Sequence, residues 1–237
     1  MNDSEWIVRR ELHVFYVLDS SRNMCGSPIT ALNHKVEKSI SALQKLTDCD
    51  ARLKIAALKF NSDCKWITED GPEDLENYKW KYISAGGDCN LGCALDELNS
   101  KLSRKGFLSS MIGVFWPIII FVTDGHPDDC YQDSLVKLQD NAWFRHASKI
   151  GLVVSDTCDT DLLAQITGTH GIILEHLEKG FFEHLLWCRG KNLPIDYENK
   201  CWHPVDDDEE DPFEALGYYD KIDSYLLRLF REEKNGD

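Results

Sequence analysis

The chain has 237 residues, 43% of them apolar, with 26 basic against 41 acidic residues for a net charge of −15. That is enough apolar material for one sizeable core with an appendage, or for two small domains. A surface this acidic repels nucleic acid and anionic membranes, because little on it neutralises phosphate.

Five continuous apolar runs read as strands: Val14–Leu18, Ile55–Phe60, Ile118–Val122, Ile150–Val154 and Ile172–Leu174. Continuous rather than alternating runs mark parallel strands covered on both faces. Helical patterns separate them. Ser27-Pro28 reads as a cap followed by proline, and Ile29, Leu32, Val36, Ile40 and Leu43 follow at helical spacing. Next comes a hairpin-like stretch in which Cys64–Thr68, a turn at Gly71-Pro72 and Lys79–Ser84 offer one short antiparallel edge strand. Leu91, Leu95, Leu98 and Leu102 mark a second helix, Leu135 and Leu138 a third, Leu162, Leu163 and Ile166 a fourth, and Phe182, Leu185 and Leu186 a fifth. Strand–helix alternation over residues 12–190 predicts a doubly wound, Rossmann-like α/β domain spanning residues 1–190.

Residues 191–237 differ in character, with 14 acidic against 6 basic side chains. "DDDEED" (206–211) reads as a solvated linker. Beyond it, Phe213, Leu216, Tyr219, Ile222, Leu226, Leu229 and Phe230 form a stripe that predicts an amphipathic C-terminal helix, packed on its own domain or on a partner.

The N-terminal MNDSEWIVRR lacks an apolar leader core. The longest apolar stretch, Met111–Val122, is too short to cross a bilayer and contains Pro117. Nine cysteines without a CxxC pair argue against a zinc ribbon or a thioredoxin-like motif. The expectation is a cytoplasmic protein with reduced, mostly buried thiols.

In a doubly wound sheet, ligands gather at the carboxyl ends of the strands. Three loops there carry oxygen donors: Asp19-Ser-Ser21-Arg-Asn23, "GGDCNLG" (86–92) and "TDGHPDD" (123–129). Together they form an oxygen shell for Mg²⁺, Mn²⁺ or Ca²⁺. An EF-hand is excluded, since Met24 stands where its glycine is needed and Thr30 where its glutamate is needed. No P-loop and no G-x-S-x-G elbow occurs.

The segments "FYVLDSSRNMCGSPI", "SAGGDCNLGCALDEL" and "IIIFVTDGHPDD", in this order and on these elements, resemble the von Willebrand factor A (VWA) domain. The likeness is to the bacterial TerY-like type of tellurium-resistance and stress operons. The resemblance covers residues 10–190. It implies a six-stranded sheet, five strands parallel and one short antiparallel edge, between helices. It also implies a metal-ion-dependent adhesion site (MIDAS) made by the three loops. Asp19, Ser21 and Asp124 match that pattern. Asn23 stands where a second serine is usual, and Cys89 stands where threonine is usual. The site is thus a degenerate one, with Asp88 next door as a substitute donor. The family implies a protein-binding adaptor in which a partner's carboxylate completes the metal shell, with Asp19, Ser21, Asp124, His126 and Asp128 facing the partner. TerY-like proteins imply a kinase and a phosphatase of the same operon as partners. Two rival readings are a Mg²⁺-dependent phosphoester hydrolase using His126 as base and a metal-free structural scaffold. No nucleophile–base pair is evident, so the expectation is a protein that is not an enzyme.

Overall fold

The structure is a computed structural model that describes residues 9–46, 51–155, 158–168, 171–177 and 179–190. The predicted acidic linker and C-terminal helix lie outside them. Among the described residues, seven strands form one sheet: β1 (Arg10–Asp19), β2 (Ala51–Phe60), β3 (Cys64–Trp66), β4 (Glu73–Asp74), β5 (Ile118–Val122), β6 (Ser148–Leu152) and β7 (Ile172–Leu174). The order across it is β3-β2-β1-β5-β6-β7, with β4 also on β2. Strands β2, β1, β5, β6 and β7 run parallel, and β3 and β4 pair antiparallel with β2. Among the described residues, six α-helices surround the sheet: α1 (Ser27–Gln44), α2 (Leu91–Lys101), α3 (Gln132–Asp140), α4 (Ala142–Arg145), α5 (Thr160–Thr167) and α6 (Lys179–Gly190).

The two-sided burial read from the apolar runs holds at every residue of the runs in β1 and β5. Val14, Tyr16 and Leu18 of β1, with Ile118, Ile120 and Val122 of β5, pack beneath α1 and α6. Phe15, Val17, Ile119 and Phe121 face the other way, under α2, α3 and α5. Burying each large apolar side chain contributes about 1.5–3 kcal/mol. That reserve supports the polar groups buried at one end of the sheet. Within the core, the Tyr16 hydroxyl pairs with Ser39 Oγ at 2.8 Å, and burial raises its pKa well above the usual phenol value.

The structure corrects three expectations. Lys79–Ser84 forms no ladder, and the antiparallel edge consists of two short pieces, β3 and β4. The Asn33 side chain of α1 bonds Ile83 on both sides, accepting from its N–H at 2.9 Å and donating to its carbonyl at 2.8 Å. It also accepts from Trp80 Nε1 at 3.1 Å. A helix side chain has taken backbone groups that a strand partner would otherwise use. Second, Gly26 is the N-cap of α1, so Ser27 is its first helical residue beside Pro28. Third, the thiols are not all reduced: Cys64 of β3 and Cys93 in the first turn of α2 form a disulfide, with Cα atoms 6.4 Å apart. A partner 29 residues away is invisible to spacing rules. Among the described residues, no helix is long and apolar enough to cross a membrane.

Candidate functional site

Strand order reverses between β1 and β5: the chain moves outward to β2 on one side and returns to β5 on the other. The crevice at such a reversal is where doubly wound sheets bind ligands. Leu18 pairs with Val122 in the ladder, so the next residues of both strands, Asp19 and Thr123, emerge side by side.

Asp19 is the hub. It is fully buried, and donors from all three loops reach its carboxylate. Ser21 N–H donates to Oδ1 at 2.8 Å. The Thr123 hydroxyl donates to Oδ2 at 2.7 Å, and the Cys89 thiol donates to the same oxygen at 3.4 Å. A buried carboxylate is tolerated when its lone pairs are met in this way. Thr123 also accepts from Gly125 N–H at 3.0 Å, which fixes its hydroxyl as a donor to Asp19. The sequence reading did not single out Thr123. The Thr-Asp-Gly run after an apolar strand was its only signal.

The first two loops are held together by their backbones. Gly86 N–H donates to Ser20 O and Arg22 N–H to Gly87 O, both at 2.8 Å. Gly87 has φ +84°, and a Cβ there would stand 2.8 Å from Ser62 Oγ, so glycine is required. The third loop is clamped to the second by Asp128 and Asp129. Asp128 Oδ2 accepts from Cys89 N–H at 2.8 Å, and its own N–H donates to Cys89 O at 2.9 Å. Asp129 accepts from Leu91 N–H at 3.0 Å and Gly92 N–H at 2.8 Å, capping α2 from another loop. The Asn90 side chain, at the N-cap position itself, makes no capping bond. Asp128, expected to face a partner, therefore spends one carboxylate oxygen on loop geometry.

The remaining predicted residues divide. Asp124 is buried beside Asp19, and burial first, then the Asp19 charge, raises its pKa above the usual carboxylate range. His126 works against that shift: its N–H donates to Asp124 Oδ1 at 3.2 Å, and its ring Nδ1 lies 3.7 Å from the same oxygen. The ring itself is 58% exposed, at the rim. Ser21 is 1% exposed, and its hydroxyl makes no hydrogen bond by geometry. Burial pushes the Cys89 thiol far above its ordinary value, and the Asp19 and Asp124 charges act in the same direction; the nearby Ser21 hydroxyl opposes them weakly. Asn23 is exposed. Asp88 is not drawn into the site; it is half exposed and ion-paired with Arg22 of the first loop.

Solved structures with this arrangement of strands and helices come from distant organisms. The von Willebrand factor type A protein from Catenulispora acidiphila superposes with a TM-score of 0.52 at 12% identity, over 75% of this chain and 41% of that one. The ArnB paralog VWA2 from Sulfolobus acidocaldarius superposes with a TM-score of 0.51 at 17% identity, over 81% of this chain and 46% of that one. The fold is that of a VWA domain. The chain spans less than half the length of these two structures. No protein-family profile and no curated protein matches the sequence.

Among the described residues, no three His, Cys, Asp or Glu side chains stand together as a ready metal cluster. Asp124 leans on His126 rather than toward Asp19's donors. The oxygen donors present are of the type a hard divalent cation takes. Two adjacent buried carboxylates repel each other, and the buried Ser21 hydroxyl stands beside them near the Cys89 thiol. Were an ion bound, Asp19, Ser21 and Asp124 are the residues that would hold it.

Proposed function

We propose that this chain is a protein-binding VWA module whose ligand face is the carboxyl end of β1 and β5. The observation that carries the reading is the convergence of three loops on one buried carboxylate, Asp19. Such a network positions the crevice with little freedom. A bound divalent cation would supply a positive centre for a partner's carboxylate, while Ser21 and Asp124 orient it and exposed His126 and Arg22 lie on the rim. Arg22, ion-paired with Asp88, offers a second attachment for an acidic partner by exchanging one carboxylate for another.

The TerY-like resemblance supports an adaptor role in a bacterial stress or phosphorylation-signalling system, with an operon kinase or phosphatase as partner. The adaptor reading places the protein in the cytoplasm, and the Cys64–Cys93 bridge is the observation that weighs against that placement, because disulfides are rare there. We assign no bond-breaking chemistry to the crevice.

The test is affinity capture with three chains: native, Asp19→Asn, and Met111→Lys at the far end of the sheet. Met111 is fully exposed and serves as the control. A protein held by the native and Met111→Lys chains but lost by Asp19→Asn supports the reading. A protein held equally by Asp19→Asn overturns it.

A further inference from the structure

The Cys64–Cys93 pair stands apart from the Asp19 crevice and yet fastens one of its loops. The turn between β2 and β3 (Asn61, Ser62, Asp63) holds the second loop, 86–92, through side chains and backbone. Asn61 Nδ2 donates to Gly86 O at 2.9 Å, and Asp88 N–H donates to Ser62 Oγ at 2.8 Å. Asn90 N–H donates to Asn61 O at 3.0 Å, and the Asn90 side chain donates to Ser62 O at 2.8 Å. Cys64 follows the turn directly, and Cys93 follows the loop directly. The bridge therefore closes the open side of this clasp. The loop it closes carries Cys89, whose thiol reaches Asp19.

The two bonds on Ser62 are exposed to water, and a hydrogen bond for which water competes contributes little net stability. A covalent link between the same two segments restricts the clasp far more than any one of them. The link is also within reach of solvent: Cys93 is exposed and Cys64 half-buried, whereas Cys89 is buried. Their Cα atoms, 6.4 Å apart, fall within the roughly 4.4–6.8 Å span of protein disulfides, so the pair joins without a backbone shift. Accessible disulfides are the ones that exchange with thiols. Those that form in a reducing compartment are mostly transient and redox-sensing.

We propose that Cys64 and Cys93 form a reversible thiol–disulfide switch that sets the order of the second crevice loop, with a small disulfide of the glutathione type as oxidant. Starting from the dithiol, the exposed Cys93 thiolate attacks one sulfur of the small disulfide and expels the other half as a thiolate. The Cys64 thiolate then attacks Cys93 Sγ in the mixed disulfide, which closes the bridge and expels the second half. Two cysteine thiols are oxidised, one small disulfide is reduced to two thiols, and the protons given up by the cysteines end on those thiols. Bridged, the loop is held; reduced, it opens more often. The consequence for a partner rests on the reading of the crevice as the ligand face, and the state of the loop does not.

The experiment equilibrates folded, full-length protein with oxidised or reduced glutathione and locates the bridge by alkylation and peptide mass spectrometry. Excess oxidised glutathione should join Cys64 to Cys93, and a large excess of reduced glutathione should part them. Exposed Cys25 and Cys130, free in the structure, report access of the oxidant as single glutathione adducts. Backbone hydrogen exchange at 86–92 should be at least about threefold slower in the bridged protein, with no such change in α1 on the opposite face of the sheet. The melting temperature should rise by at least about 5 °C on bridging. In Cys93→Ser, or in Cys64→Ser should the first fold poorly, both buffers should give the fast exchange of the reduced native chain. A bridge that survives a large excess of reduced glutathione in folded protein is a fixed crosslink and overturns the proposal. So does a pair that excess oxidised glutathione never joins. Equal exchange at 86–92 in the two states also overturns it, because the bridge then has no hold on the crevice. None of these outcomes touches the partner reading, which capture with Asp19→Asn decides separately.

Discussion

Replacing Thr123 by valine keeps the shape of a 3%-exposed side chain and deletes one hydroxyl. Two bonds go with it. The first is the 2.7 Å bond donated to Asp19 Oδ2; a hydrogen bond to a charged group contributes about 1.5–3 kcal/mol. The second is the 3.0 Å bond from Gly125 N–H, and leaving that buried donor unpaired costs about 1–3 kcal/mol. Together the loss is about 3–5 kcal/mol, allowing for some relaxation toward solvent. For a chain of this size it lowers the melting temperature by roughly 10 °C. Thr123→Ser retains the hydroxyl and loses one methyl, at a cost of about 1 kcal/mol. Thermal and urea unfolding of the three proteins, followed by circular dichroism, measures both numbers. In an Asp19→Asn background the Thr123→Val change should cost at least about 1 kcal/mol less, because a charged acceptor is no longer there to lose. If Thr123→Val lies within about 0.5 kcal/mol of native, or if serine is as harmful as valine, the hydroxyl does not hold Asp19 and the hub described above is wrong.

Two further outcomes follow from the same crevice. With a panel of phosphate esters and Mg²⁺, Mn²⁺ or Zn²⁺, native protein should show no turnover; metal-dependent hydrolysis abolished by Asp19→Ala would replace the binding module with an enzyme. Asp124 has its folded-state pKa raised, chiefly by burial and next by Asp19, so the folded protein holds a proton that the unfolded chain gives up, and stability falls as pH rises through that window. Without added cation, Asp124→Asn should therefore gain on native protein as pH rises from about 4 toward 7, and a gap between the two unfolding curves that does not change with pH would contradict it.

What the sequence revealed and what it hid divide by range. The parallel core was legible because every strand of it contains an apolar run, and β5 and β7 begin and end where the runs do. The site loops were legible because oxygen-bearing side chains followed those runs directly. What was missed depends on partners far along the chain: Asn33 holding residue 83, Asp129 capping α2, and Cys64 reaching Cys93. Lys149 is the sharpest instance. The run Ile150–Val154 was read as a strand, yet β6 starts two residues earlier and carries a lysine at 7% exposure. A charged residue at that spot reads as solvated, but the short helix α4 ends just above it. Lys149 Nζ donates to the carbonyls of Phe144 at 3.2 Å, Arg145 at 3.3 Å and Ala147 at 3.2 Å. Phe144 and Arg145 close α4 and Ala147 follows its C-cap, so a cation there also meets the negative end of the helix dipole. Burial lowers the Lys149 pKa, so in the window below the ordinary lysine value the unfolded chain binds more protons, and stability rises with pH. Lys149→Met keeps the length and removes the donor that these carbonyls share, at a cost of about 1–3 kcal/mol. The variant does not titrate at this position, so its deficit relative to native protein should widen as pH climbs from about 8 toward 10. A deficit that narrows over that range would mean that the charge itself, more than the three hydrogen bonds, is what position 149 contributes.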